Sequence, residues 1–285
     1  MSIHISQHRI EGAPFKPSPN HGSAFEAGLP DAIIIHFTGG SSAESAIGWL
    51  CNPQAKASAH VVIGRDGIIT QLLPFDTVAW HAGASSHGGR TGYNKLSIGI
   101  ELDNPGRLKR TEGGDYVSAF GRKYPAAQVI AATHRNERTE SYWLAYTEEQ
   151  IEATFALCIA LCATYPVWEI LGHEEIAPGR KDDPGPAFPL DRLRQRLIAR
   201  GRDEDTGFNR KPDGDIDPAA PARGKGFVTA SQLNFRAEPR ASADAIAPPL
   251  PRGTVVEILD QKAGWHQVRV NGKIGWLKSE YLKTG

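Results

Sequence analysis

The chain has no excess charge of either sign: 32 Lys and Arg stand against 32 Asp and Glu in 285 residues. No net field draws it onto nucleic acid or an anionic membrane surface, so neither partner is expected. No stretch approaches the ~20 apolar residues of a membrane span. The opening "MSIHISQHRIEGAPFKPSPN" has no apolar signal core and no small-residue cleavage site, so the chain is expected to be cytoplasmic as made. Cysteine is scarce and odd in number. Cys51 stands alone, and Cys158 and Cys162 sit four apart in an apolar helical run. All three are expected to be reduced and buried, since free cysteine packs as a small hydrophobe.

What is present fits a soluble globular protein of one large or two unequal domains, with 40% apolar and 22% charged residues. Residues 1–30 are polar and rich in Pro and Gly, which predicts an extended lead-in. "DAIIIHF" predicts a buried strand closing on His36. Ser41 with Glu44 predicts a capping box for a short helix ending near Leu50. "SAHVVIGRDGIITQLL" predicts a hairpin about Asp66-Gly67, and "KLSIGIEL" a strand. Thr147 with Gln150 caps a helix whose stripe is Ile151, Phe155, Cys158, Cys162 and Tyr165, stopped by Pro166. "VWEIL" is a strand that delivers His173, and a helix from about Leu190 to Arg200 turns Leu193 and Leu197 inward. Strands alternating with helices predict an α/β fold, a mixed central β-sheet flanked by helices, over residues 1–200. The span 105–146 is weakly patterned and reads as a long functional or mobile loop.

Residues 201–225 change composition and read as a linker. Residues 226–285 hold closely spaced short β runs, with a tight hairpin at Asn271-Gly272, and predict a small all-β barrel.

Three residues draw attention together. His36 ends a buried strand, His173 follows another, and Asp183 lies ten residues on in the proline-stiffened "GHEEIAPGRKDDPGPAF". Zinc takes imidazole nitrogen and carboxylate oxygen, with the fourth position open to water in a catalytic site. Strand ends and an adjacent loop converge at the rim of a sheet, where open α/β folds place their sites. Spacing alone does not select these two among ten histidines, and Asp182 competes with Asp183. By themselves Glu101 and Lys181 read equally well as a solvated strand-end carboxylate and a solvated loop cation.

In chain order, "IIIHFTGG", "SAHVVIGRDGIITQLLP", "AWHAG", "NKLSIGIEL" and "GHEEIAPGRKDDPGPAF" resemble the zinc-dependent N-acetylmuramoyl-L-alanine amidases, over roughly residues 30–198. That family includes phage lysozyme-type amidases, peptidoglycan-recycling amidases and animal peptidoglycan recognition proteins. The resemblance implies cleavage of the amide between N-acetylmuramic acid and L-alanine in peptidoglycan or muropeptides. It implies Zn2+ on His36, His173 and Asp183, with Glu101 and Lys181 as catalytic residues. Glu101 would take a proton from water and pass it to the leaving nitrogen, and Lys181 would hold the oxyanion. Pro178 and Pro184 read as struts, with Glu174, Glu175, Arg180 and Asp182 solvated or supporting the loop.

"AWHAGASSHGGRTGYN" lies where the resemblance puts substrate contacts. Trp80 offers a flat face, His81, Arg90 and Asn94 offer hydrogen bonds, and Arg90 with Arg65 could pair with stem-peptide carboxylates. From "LNFR" to "EYL" the C-terminal part resembles bacterial SH3-like domains, which bind cell-wall peptide or dock on a neighbour. Asn234, Arg236, Trp265 and Trp276 are its candidate contacts, with core filling the alternative for the two tryptophans. Two other readings stand beside the amidase: a non-catalytic peptidoglycan-binding protein, and a zinc hydrolase of a cytosolic amide. The missing signal core favours recycling of soluble fragments. The SH3-like module favours intact wall, reached by export or phage release.

Overall fold

A computed structural model describes residues 3–203, 223–240, 243–262, 264–270 and 273–284. The chain divides into two compact units, Met1–Arg194 and Gln195–Gly285. Among the described residues no helix is long and apolar enough to cross a membrane.

The first unit is built on a five-stranded mixed sheet. Its order is Glu169–Gly172, Ala32–Phe37, Ser97–Leu102, Val61–Ile63 and Ile69–Gln71. The first four strands run parallel, and the last closes an antiparallel hairpin on Val61–Ile63. Gly67 supplies the positive φ (78°) that the hairpin turn needs. Ala32 to Ile35 are wholly buried, as expected of a parallel strand covered on both faces. Helix α1 (Ala43–Leu50) packs Ala46, Ile47 and Leu50 against Val62 and Leu72. Helix α2 (Glu148–Thr164) starts at the expected capping box. Thr147 Oγ1 accepts from Gln150 N at 3.1 Å, and Gln150 Oε1 accepts from Thr147 N at 3.4 Å. Helix α3 (His173–Ile176) follows the edge strand directly, and helix α4 spans Leu190–Asp203. Leu193 is wholly buried, whereas Leu197 is half-buried.

Several expectations are corrected. Residues 3–30 hold short extended strands, as expected, but these are paired. Ile5–Ser6 pairs with Arg9–Ile10, and His21–Ala24 pairs with Thr77–Ala79. Buried Ser18 and Asn20 are polar because they satisfy carbonyls left open beyond α1: Ser18 Oγ donates to Leu50 O (2.6 Å), and Asn20 Nδ2 to Leu50, Asn52 and Ala57 O. The cap of α1 is Ser42, not Ser41; its Oγ accepts from Ser45 N at 3.2 Å. The span 105–146 forms a five-stranded antiparallel sheet instead of a loop, in the order Lys123–Tyr124, Tyr116–Val117, Arg107–Arg110, Glu140–Leu144, Val129–Thr133. Its strands are two to five residues long and mostly half-buried, so they carry little apolar alternation. All three cysteines are free, but only Cys158 is buried; Cys51 and Cys162 are half-buried.

Beyond the end of α4, the second unit is built on an antiparallel sheet in the order Lys273–Lys278, Trp265–Val270, Val255–Lys262, Gly224–Val228, Leu282–Thr284. Val228, Phe235, Val256, Val268 and Leu277 fill its core. Trp265 is buried, while Trp276, Asn234 and Arg236 are half-buried. Arg236 and Trp276 exchange backbone hydrogen bonds of 3.1 and 2.8 Å. Most of the expected linker and the Asn271-Gly272 turn lie outside the described residues; Val270 and Lys273 pair on either side of that turn.

Candidate active site

Parallel register assembles the site. Glu101 pairs with His36 on adjacent strands, and Gly172 pairs with Ile35 on the other side. His173 therefore leaves its strand beside His36, at the C-terminal ends of the parallel strands. The loop after α3 returns Asp183 to the same point. His36 Nδ1 lies 2.9 Å from His173 Nδ1 and 2.9 Å from Asp183 Oδ2, and His173 Nδ1 lies 3.0 Å from the same oxygen. All three side chains are buried, and they are a group able to hold a metal ion.

The donor set fits zinc. Two imidazole nitrogens and one carboxylate oxygen are its usual partners, about 3.3 Å apart at tetrahedral bond lengths, close to the spacing seen here. His173 Nε2 donates to Ala82 O at 3.1 Å, so its Nδ1 turns a lone pair inward. Burial, followed by the neighbouring His173, lowers the His36 pKa to about 4, which keeps that ring neutral as a ligand must be. Burial alone would raise Asp183, but its close contacts with His173 and His36 outweigh that and hold it well below the carboxylate range.

Glu101 is pushed well above the carboxylate range, by burial first and then by the charge of Asp183, with Lys181 opposing. Its Oε2 has no hydrogen-bond partner among the described residues. Lys181 is exposed, and its charge acts on both His36 and Glu101. A half-buried carboxylate with a raised pKa beside a cation and a metal-type triad suits proton transfer.

The loop from His173 to Phe188 is held from three sides. Glu174, expected to be solvated or supporting, is buried. Its Oε2 accepts from His134 Nε2 (2.7 Å) and Gly185 N (3.1 Å), and its amide donates to Asp183 O (2.8 Å). Glu175 Oε2 accepts from Gly172 N and Arg194, and Arg135 pairs with its other oxygen. Arg180 donates to Ala82 O (2.8 Å) and Ala84 O (2.7 Å). Asp182 meets Arg107 at 3.4 Å. Tyr146 donates to Pro184 O at 2.8 Å. His134 and Tyr146 were not foreseen; they come from the 105–146 span, and no local pattern links them to the loop.

The substrate candidates divide. Arg65 donates to Ala145 O, Arg90 forks onto Asp31 at 2.7 and 2.9 Å, and Asn94 Oδ1 accepts from His81 N and Ala82 N. These three hydrogen-bond to the chain's own loops. His81 engages His36 through one ring nitrogen and Ser97 through the other. Trp80 stays 37% exposed beside them, with an open face.

A family model described as N-acetylmuramoyl-L-alanine amidase matches residues 26–186, and one described as bacterial SH3 domain matches 231–283. The 1,6-anhydro-N-acetylmuramyl-L-alanine amidase AmpD of Escherichia coli (strain K12) is 32% identical over 209 residues, covering 67% of this chain and 94% of that protein. The N-acetylmuramoyl-L-alanine amidase AmiD of the same strain is 32% identical over 176 residues, 58% of this chain and 52% of that protein. A crystal structure of a selenomethionine AmpD derivative aligns with 29% identity and a TM-score of 0.47, covering 67% of this chain and 97% of that one. With more than half of its residues matched by the family model and nearly the whole of AmpD aligned, the chain belongs to the N-acetylmuramoyl-L-alanine amidase family.

Proposed function

We propose that this chain is a zinc amidase that hydrolyses the bond between N-acetylmuramic acid and L-alanine in muropeptides, with His36, His173 and Asp183 as the metal ligands. The observation that carries this reading is the buried triangle of two nitrogens and one oxygen beside Glu101. Zinc held there polarises the scissile carbonyl and lowers the pKa of water.

The chain's own residues do the rest. Glu101 takes the proton of the attacking water and returns it to the departing nitrogen of L-alanine. Its raised pKa gives it the basicity for the first transfer and the acid form for the second. Lys181, exposed on its loop, faces the developing oxyanion with a positive charge. The exposed face of Trp80 receives the sugar ring or lactyl group. The similarity to AmpD, a 1,6-anhydro amidase by name, supports soluble 1,6-anhydro fragments as the substrate class. The SH3-like unit is assigned to binding cell-wall peptide.

Incubation with soluble anhydro-muropeptides and with whole sacculi, with and without EDTA, tests the reading. Cleavage that EDTA abolishes and zinc restores is expected, faster on the soluble fragments. A protein that binds no zinc and cleaves neither substrate with zinc added would sink it.

A further inference from the structure

The protons of the histidine row follow from their partners. Ser97 Oγ donates to Tyr93 O at 2.5 Å, so towards other groups that hydroxyl oxygen accepts. Ser97 O and Oγ lie 3.2 and 3.3 Å from His81 Nε2. With two acceptors facing it, Nε2 carries the proton of a neutral ring, and His81 Nδ1 is bare. That bare nitrogen lies 2.9 Å from His36 Nε2. A hydrogen bond there requires the proton on His36 Nε2. The remaining nitrogen, His36 Nδ1, then points its lone pair at Asp183 and His173.

Taking His36 as a metal ligand, as proposed above, we infer that His81 is a positioning residue that fixes the tautomer of His36 through the relay Ser97–His81–His36. Two features of the sequence serve this seat. Asn94 Oδ1 clamps the amides of His81 (3.0 Å) and Ala82 (2.7 Å). Gly99 lies in the strand beneath the ring, where a Cβ would fall 2.4 Å from His81 Cγ and 2.7 Å from its Nδ1. Glycine in a strand interior marks such a close approach, and here it admits the imidazole. His173 is served in parallel, since Ala82 O accepts from its Nε2 at 3.1 Å. One dipeptide, His81-Ala82, thus sets the tautomers of both histidines. Partners of this kind orient metal-binding imidazoles and raise their basicity.

Nitrogen-15 long-range correlation spectra of the metal-free full chain test the relay directly. His81 is expected to carry its proton on Nε2, and so is His36 once zinc is added; a proton on His81 Nδ1 overturns the inference. His81→Leu is expected to weaken zinc binding by about 10- to 100-fold, read by chelator competition. His81→Asn, whose Oδ1 offers an acceptor near the place of Nδ1, is expected to recover most of the loss. A folded His81→Leu with an unchanged zinc dissociation constant also overturns it. If His81→Leu does not fold, the wild-type spectra decide. A wild type that binds no zinc would sink the metal assignment instead, and the metal-free spectra would still decide the relay.

Discussion

Glu101 and His36 stand in register on neighbouring parallel strands, each the penultimate residue of its strand. Paired residues of a parallel ladder share a face, so the sheet itself holds the carboxylate beside the metal-type triangle. Strand pairing sets that spacing more tightly than a loop would. Glu101→Gln keeps the shape and removes the base. Zinc content is expected to stay at wild-type level, while muropeptide turnover falls by at least about 100-fold. Unchanged turnover would remove Glu101 from the chemistry.

Asp183 and Lys181 lie two residues apart on one loop but are assigned different tasks. Asp183→Ala deletes one of three ligands and leaves two buried imidazoles facing each other, so the protein is expected to lose its zinc. Lys181→Ala touches no ligand and is expected to keep zinc while losing about 100-fold in rate. Metal analysis of both purified variants, set beside their turnover, separates the roles. A Lys181→Ala protein of normal rate would mean that another group holds the oxyanion.

The parallel strands and the cap of α2 were legible because burial on both faces and side-chain capping act locally. "AIIIHF" and Thr147 with Gln150 carry their structure in adjacent residues. The family frame selected His36, His173 and Asp183, which spacing alone could not. Other features depend on partners far away in sequence. The 105–146 sheet is made of short, half-buried strands, and its purpose at the site lies in His134, forty residues from the carboxylate it meets. The pairing of Arg90 with Asp31 and Glu169 is not legible locally, because both carboxylates are distant in the chain. His81 looked free because nothing in "AWHAG" reveals that Gly99 clears a seat for its ring.

Glu174 joins the antiparallel sheet to the active-site loop, and its loss is expected to act on both. Glu174→Ala leaves His134 Nε2 and Gly185 N without their acceptor in a buried place. A cost of about 1–3 kcal/mol is expected in urea unfolding. The zinc affinity is also expected to fall, because the amide of Glu174 bonds to the carbonyl of the proposed ligand Asp183. A double-mutant cycle with His134→Ala isolates the pair: coupling near zero would show that the contact holds nothing in place.

His60 gives the fold an acid limit independent of catalysis. Its ring is wholly buried; Nε2 donates to Thr77 O at 2.9 Å, and Nδ1 accepts from Gly99 N at 3.0 Å. A second proton would set an N–H against the Gly99 amide. Burial lowers its pKa to about 4 from the 6.5 of a free side chain. As pH falls below about 6.5 the unfolded chain takes the proton first, so the stability contributed by neutral His60 is complete above that value. It is lost progressively as pH falls towards about 4. From pH 7 to pH 5 the loss is on the order of 2 kcal/mol. Urea unfolding at the two pH values is expected to show it, and His60→Gln is expected to flatten the dependence by a similar amount. Proton NMR titration of the folded chain gives the direct check: a His60 midpoint near 6.5 instead of about 4 would mean that burial does not hold the ring neutral.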